Sequence, residues 1–478
     1  MDMFRVFLLC LMITSCGVHV SNWQGSSSPG LDTAHYDNFD QTLTHPVKLG
    51  KGDILFVDYA VDAKKGSVDI AVKQGNTPVW QQPTGNDSGA VQVIAPNAGK
   101  YTINITGHHA TGGYKLRYAV AKPKWVSVKN SVNIELFGLL LQLDNGADLI
   151  ASKDTVMIDG RRATWAQWYA LAVENYRIYK DYDTCKVMQL FRKLQSEGIY
   201  NDFFVDFLIQ VDEAPNARIN PLTDAVTIQG FSPKGDTAGA RQRANEFLAA
   251  LNDFYQTISF EQYLEKHKQH YAQATAQVKR NLPGGELLPV MEHYYRQQFK
   301  EYYLVPGLNI LTSMGFGKVN RNSGTIYNIF GPFGFQDFTP QHPDMGFDYP
   351  ERIKVLAVHE FGHSFVNPAV DRLPVSLIRN TAYLFEPIKK EMEKRAYPSW
   401  RICLYEHFVK AGEYLVALKS GDTARAKTFM KDAVEAGFIY LPLLAEELAH
   451  WEKEVSGGPF DEGMMRAMKA LEKTYAKP

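Results

Sequence analysis

The chain has no excess of either charge: 51 Lys and Arg stand against 52 Asp and Glu over 478 residues. A nucleic-acid binder normally shows a basic excess or a basic stripe, so the balance argues against nucleic acid as a partner. Cysteine is scarce as well. There are four, and Cys10 and Cys16 fall near the start, leaving Cys185 and Cys403 in the body of the chain. Those two could pair or stay as buried thiols. Either way they exclude a disulfide-stapled scaffold and any cysteine-rich zinc site. No internal repeat is evident. The apolar stretch at residues 6–13 is too short for a permanent membrane helix, which needs about 20 residues. What remains is globular composition, 45% hydrophobic and 22% charged, with ample apolar mass for burial. The length predicts two or three domains.

The stretch at 6–13 suits the core of a signal peptide covering residues 1–15. It runs into Ile13-Thr14-Ser15-Cys16-Gly17, which resembles the lipobox of bacterial lipoproteins. In that motif a Cys after small residues is lipidated and becomes the new N-terminus. The resemblance implies lipidation at Cys16 and export. It also implies a membrane partner through the anchor: a cell-envelope lipoprotein on the outer membrane, facing the periplasm or the surface. Residues 16–31, rich in Ser and Gly, are expected to be a flexible tether.

From 32 to 122 the texture is all-β. Alternating stretches at 54–59, 68–72 and 101–105 recur between turn signals such as Gly50-Lys51-Gly52 and Thr111-Gly112-Gly113, which predicts a small β-sandwich. The segment resembles accessory sandwich domains of secreted hydrolases, which implies contact with glycan or with the catalytic unit. Trp80 is read first as core and second as a sugar platform. From 124 to 478 the texture is mixed and mainly helical. Helices are expected at 135–143, 164–197, 238–278 and from Trp400 onward, and strands at 203–211, 226–231, 302–311 and 325–330. The expected fold class is α+β: an N-terminal all-β sandwich followed by a mainly helical, zincin-like metallopeptidase domain.

The chemical centre lies at residues 351–368, ERIKVLAVHEFGHSFVNP. Apolar Ile353, Leu356, Ala357 and Val358 lead into His359-Glu360-Phe361-Gly362-His363, and Pro368 is expected to end the helix. Residues four apart share one helical face. His359 and His363 can therefore present two imidazole nitrogens to one Zn²⁺. Glu360 sits beside them and is the expected general base toward metal-activated water. A metzincin would need Gly at 366 and His at 369; Val366 and Ala369 exclude that class. The remaining common solution is an acidic ligand on a later helix. Glu406 is the first candidate, on a helix whose apolar face is Ile402, Tyr405, Phe408 and Val409, with Lys410 one turn on as its charge partner. Glu386, followed by Pro387, is the second; His407, Glu413 and Asp371 rank lower. Asn367 either braces the ligand helix or caps its end.

HEFGHSFVNP, the helix at 400–411 and the AGFIY tail at 436–440 together resemble a family of exported bacterial proteins of uncharacterised function, expected to be gluzincin-type zinc metallopeptidases. The resemblance covers 124 to the C-terminus and leaves out the sandwich. It implies a third zinc ligand on the later helix, followed by a hydrophobic pair and Arg-Ala. Glu406 and Lys410 occupy those places; Lys keeps the charge but not the bidentate geometry of Arg. The expected function is a zinc-dependent endopeptidase acting on protein or peptide substrates. Its rival is a non-catalytic surface lipoprotein whose sandwich binds glycan or protein beside a vestigial zincin domain; the intact Glu360 weighs against that. Substrate is expected along 324–330 by strand addition. The His267-Lys268-Gln269-His270 run is read as a solvated helix face. Tyr383 and Tyr405 are the tyrosines close enough in sequence to be weighed as oxyanion stabilisers.

Overall fold

In a computed structural model of the chain, the described residues are 19–81, 88–232, 236–312, 314–339, 343–453 and 458–476. The signal segment and Cys16 lie outside them. The chain divides into two compact units. One reaches to Lys122 and includes His450–Gly457; the other comprises Pro123–Ala449 and Gly458–Pro478.

The first unit is an antiparallel sheet of β1 (Val20–Ser21), β2 (Gln24–Ser28), β3 (Leu31–Phe39), β4 (Thr42–Leu49), β5 (Ile54–Gln74), β6 (Thr77–Gln81), β7 (Ser88–Ile94) and β8 (Gly99–Ala121). The long strands β5 and β8 pair from end to end, with register breaks between Ala63 and Ser67. β3 and β7 flank one half of this ribbon, and β4 and β6 flank the other. Val57, Tyr59 and Leu116 from the first half share one core with Ile70, Val72 and Ile103 from the second. A single core for both halves means that the ribbon folds over on itself, giving a sandwich-like domain. Gly112 (φ +143°) sits at the bend, where a Cβ would meet the Asp62 carbonyl oxygen at 1.9 Å. Trp80 is half-buried against the core, its ring 5.7 Å from that of Tyr59. The tether expected at 16–31 is not one throughout: Gln24–Ser28 pairs with β3 along its whole length. Its side chains are all exposed, and backbone pairing at a sheet edge needs no apolar residues, which is why composition concealed it.

The second unit holds β9 (Ser127–Val128), a hairpin of β10 (Thr155–Ile158) and β11 (Arg161–Thr164), and β12 (Glu301–Pro306), β13 (Gly315–Asn320) and β14 (Thr325–Phe330). The last three join β9 in a mixed sheet of order β13-β14-β12-β9, in which β13 is antiparallel and the others parallel. Around it lie helices α1 (Val132–Ala151), α2 (Trp165–Trp168), α3 (Ala170–Tyr179), α4 (Lys186–Ser196), α5 (Asn201–Leu208), α6 (Ala225–Gln229), α7 (Thr237–Thr257), α8 (Phe260–Lys266), α9 (Lys268–Arg280) and α10 (Leu287–Tyr295). After the sheet come α11 (Pro350–Asp371), α12 (Val375–Asn380), α13 (Lys389–Glu393), α14 (Trp400–Lys419), α15 (Thr423–Glu435), α16 (Leu441–Lys453) and α17 (Phe460–Thr474). None of the described helices is long and apolar enough to cross a membrane.

Buried Leu and Phe of α1 pack with α4, α5 and α7 over the face of β12 and β14. Two expected strands are therefore helices: 203–211 is largely α5 and 226–231 is largely α6. Phe204, Val205, Phe207 and Leu208 are all buried, and short apolar runs look alike in a buried strand and a buried helix. α11 also departs from expectation. It continues through Pro368 to Asp371, so the proline costs the helix one backbone hydrogen bond without ending it.

Candidate metal centre

Pro350 opens α11 at a position where its fixed φ suits the first turn. Ile353, Ala357 and Phe361 then turn one face of the helix into the core. The helix lies against β13 closely enough that a Cβ on Gly317 would sit 2.0 Å from the Glu360 carbonyl oxygen. α14 is capped by Ser399, whose side chain accepts from the Ile402 N–H at 3.4 Å. It packs on α11 where Val409 meets Gly362, its Cγ1 3.3 Å from where a Cβ would be, and on α10 where Gly412 leaves room for the Tyr295 hydroxyl. These contacts fix the two helices that carry the candidate residues.

His359 and His363 face one another on α11, their Nε2 atoms 3.3 Å apart. Glu406 on α14 completes the group, with Oε1 at 3.4 Å from His363 Nε2 and Oε2 at 3.7 Å from His359 Nε2. The ligand atoms of all three lie within 4.8 Å of one another. The far sides of the imidazoles are held: His359 Nδ1 is 2.9 Å from Glu413 Oε1, and His363 Nδ1 is 3.1 Å from Asn367 Oδ1. Both acceptors call for the proton on Nδ1, which leaves the Nε2 lone pairs turned toward Glu406. Glu406 Oε2 is buried with no hydrogen-bond partner. Two imidazole nitrogens and an undonated carboxylate oxygen converging on one point call for a positive charge between them, either a second proton on His359 or a metal ion that replaces it. The group can hold a metal ion.

The electrostatics agree. Burial would lower the His359 pKa, but Glu413, Glu360 and Glu406 together outweigh burial and push it up to about 9. A field that holds a proton this firmly draws any cation to the same place. Burial raises the Glu413 carboxyl, yet its contact with His359 and the charges of Lys410 and His363 bring it below its ordinary value.

The other candidates go elsewhere. Glu386 is exposed and outside the group. His407 lies buried among Trp400, Phe438 and Tyr440, its Nδ1 2.7 Å from the Cys403 carbonyl. Burial lowers its pKa to about 4, so it is neutral. Asp371 accepts from Arg401 and from Tyr405. Glu413 belongs to the site by holding His359, and Asn367 by holding His363. Lys410 does not pair with Glu406; its ammonium lies over the rings of Phe438 (4.8 Å) and Phe429 (5.6 Å). Tyr405 is committed to Asp371, and Tyr383 donates to the Tyr475 carbonyl. The tyrosine that feels the site is Tyr397, whose pKa is raised by burial and, after that, by the charge of Glu406. Its only sequence signal is its place two residues before the α14 cap. Cys185 and Cys403 are both free. His267 is buried with its Nδ1 3.1 Å from His270 Nδ1, so this pair is not a solvated face. Tyr263 and Phe338 cover it.

β14 is an inner strand, buried at all six residues, so 324–330 has no free edge for the strand addition expected there. β13 is the edge; among the described strands it pairs with β14 alone. The Gly331 N–H donates to the Met314 carbonyl. By the alternation of an antiparallel ladder, the N–H and C=O groups of Gly315, Gly317 and Val319 then point off the sheet. A Cβ on Gly315 would lie 2.9 Å from Glu360 Oε1. This free backbone therefore borders the Glu360 carboxylate.

The profile of the domain of unknown function DUF4932 matches residues 126–457, a span that holds both His residues and Glu406. The chain belongs to this family. No curated protein matches it. Several solved structures bear a faint likeness, the following three among them. The periplasmic g-type lysozyme inhibitor PliG of Aeromonas hydrophila is 14% identical over 23% of this chain and 93% of its own, with a TM-score of 0.14. The carbohydrate-binding module TmCBM61, solved with β-1,4-galactotriose, is 11% identical over 22% and 90%, with a TM-score of 0.15. The IMPa metallopeptidase, solved with T-antigen, is 11% identical over 95% of this chain and 49% of its own, with a TM-score of 0.12. Likeness at this level fixes neither fold nor function for the DUF4932 domain.

Proposed function

We propose that this DUF4932 protein is a zinc-dependent peptidase of the gluzincin type, with Glu360 as general base. One observation carries the reading: two imidazole Nε2 atoms and a buried carboxylate converge on one point, and Glu360 adjoins them on α11. Two nitrogens and one carboxylate are a donor set that zinc favours. When bound, zinc supplies a Lewis acid that polarises a carbonyl and acidifies water near neutral pH.

The chain's own residues account for the remaining chemistry. His359, His363 and Glu406 would hold the ion, while Glu413 and Asn367 keep the imidazoles turned toward it. Glu360 takes a proton from the attacking water as its oxygen bonds to the carbonyl carbon. It then returns that proton to the leaving nitrogen as the C–N bond breaks. The free edge of β13 suits an extended peptide, which would add as a further strand. Gly315 and Gly317 let that backbone come close to Glu360. A ligand-bearing helix beneath such an edge strand is also what favours a zincin-like fold.

Metal analysis tests the reading. Purified protein should carry about one zinc per chain, and His359→Ala should lose it. A wild-type chain that neither carries zinc nor takes it up on titration sinks the proposal. A peptide-library digest with the zinc-loaded protein then defines the substrate. The same reading places the protein in the cell envelope through lipidation at Cys16. Cys16→Ala should move it out of the detergent-extracted membrane fraction, and an unchanged partition removes the anchor.

A further inference from the structure

The free edge of β13 has a fixed direction relative to α11. A Cβ on Gly317 would meet the Glu360 carbonyl, whereas one on Gly315 would lie 2.9 Å from Glu360 Oε1 and 3.2 Å from Leu356 Cδ1. Stepping back along β13 therefore means stepping back along α11. The next turn brings Arg352, two turns before His359 on the same helical face. Two turns of helix span about 12 Å, a length that an added strand covers in three or four residues at about 3.3 Å each.

That end of the edge carries a cation to spare. Asp159 and Gly160, at φ +50° and +77°, form the tight turn of the β10–β11 hairpin. The Asp159 carboxylate is already met by the Tyr349 hydroxyl and by Arg352 Nη2, the latter at 3.1 Å. Arg352 also donates to the Phe333 carbonyl at 2.9 Å and lies over the Tyr349 ring. Arg161 closes the same turn, exposed, with its guanidinium over the Phe335 ring at 4.5 Å. Among the described residues it has no carboxylate partner. Glu351, the acid in the first turn of α11, is drawn to Arg425 instead. Stacking on a ring holds a guanidinium in place without using its N–H donors. The N-terminus of α11 adds the positive end of its dipole.

We propose that Arg161 is a specificity-determining residue, which receives an acidic side chain of the substrate on the C-terminal side of the cleaved bond. The inference rests on the peptidase reading of the site. Added strands pair antiparallel more often than parallel. A peptide antiparallel to β13 runs from the Asn320 end toward Gly315, so the residues that pass Gly315 are those after the scissile bond. The third or fourth of them comes level with Arg352 and the hairpin. Arg352 is taken up by Asp159, which leaves Arg161 to pair with a Glu or Asp at that place.

The test gives the zinc-loaded protein pairs of C-terminally amidated peptides built on the best sequence of the library digest. Each pair carries Glu or Gln at the third or fourth place after the cleaved bond. At low ionic strength the Glu peptide should show a kcat/KM about 5–10-fold higher, and the advantage should fade at about 1 M salt. Arg161→Gln should remove the advantage, and Arg161→Glu should turn it into a preference for Lys. Equal cleavage of the Glu and Gln peptides by wild type overturns the proposal and leaves the peptidase reading standing. An advantage that survives Arg161→Gln overturns it too, as does an acid preference that the digest places before the cleaved bond. A wild-type chain that holds zinc but cleaves no peptide overturns the peptidase reading, and the role of Arg161 falls with it.

Discussion

Glu135 on α1 and Glu406 on α14 are both nearly sealed from solvent, at 2% and 7% exposure, and they differ in what faces them. Glu135 accepts from the Leu308 N–H, the Asn309 N–H and the Tyr271 hydroxyl at 2.8–3.1 Å. Asn309 is itself tied to Asn175, Tyr263 and Gln142. Glu406 has an oxygen with no donor and two imidazole nitrogens opposite. A buried carboxylate with its donors in place locks a loop to a helix. One left short of donors, against lone pairs, is arranged to meet a cation. The same contrast holds in the first unit, where buried Asp32 accepts from Tyr114 and pairs with His45, and buried Asp53 is met by Lys122.

The sharpest way to break this contrast is at Glu360. Glu360→Gln should keep zinc and fold while hydrolysis falls about 10²–10⁴-fold. Full turnover by a zinc-loaded Glu360→Gln protein would leave the proposed base without a role. Next comes Glu406→Gln, which weakens an oxygen donor and removes a charge. Loss of an outer partner already lowers metal affinity about 10–100-fold, so this loss should reach or exceed the upper end. Thermal stability of the metal-free protein should barely move, and Glu386→Gln should match wild type. Equal zinc binding by Glu406→Gln would reduce α14 to a structural element. Glu413→Gln tests the outer contact. It should lower zinc affinity by about 10–100-fold, read by competition with a chelating dye; an unshifted titration would mean that His359 needs no partner to stay aligned.

The local part of this site was legible in the sequence because a spacing of four on a helix is a local property. His359 and His363 face one another by helical geometry alone, and the apolar face of 400–411 was enough to bring Glu406 forward. What was hidden depends on packing between distant segments. Lys410 is within one turn of Glu406, yet its ammonium lies over Phe438 and Phe429, which no spacing rule reports. Glu413 lies two turns beyond Glu406 and reaches His359 only because α14 packs on α11, with Val409 against Gly362. The exchange of β14 for β13 as the free edge has the same origin: 315–320 was not expected to be a strand, and the order of the sheet is set by the parallel pairing of β12 with β14. The run at 203–211 was misjudged because a short apolar stretch has the same texture in a buried strand and a buried helix.

The smallest expected effect falls on the other glutamate and concerns stability alone. Burial raises the Glu135 pKa, the donors from Asn309, Leu308 and Tyr271 pull it back, and the net position is about 7, above its ordinary 4.5. Between those two values the folded chain keeps a proton that the unfolded chain has released. The contribution of Glu135 to stability is therefore fully present below pH 4.5 and is lost as pH rises to about 7. Glu135→Gln has no such proton, and its amide faces N–H donors with one oxygen instead of two. It should destabilise the second unit by roughly 1–3 kcal/mol without changing zinc affinity. In urea titrations from pH 4 to 8, the gap between wild type and Glu135→Gln should narrow as pH rises through this window and stay constant above it. A gap that widens with pH would mean that the three donors outweigh burial and that Glu135 folds as a carboxylate. A Glu135→Gln protein with impaired zinc binding would be more damaging, because it would join the two glutamates that the structure keeps apart.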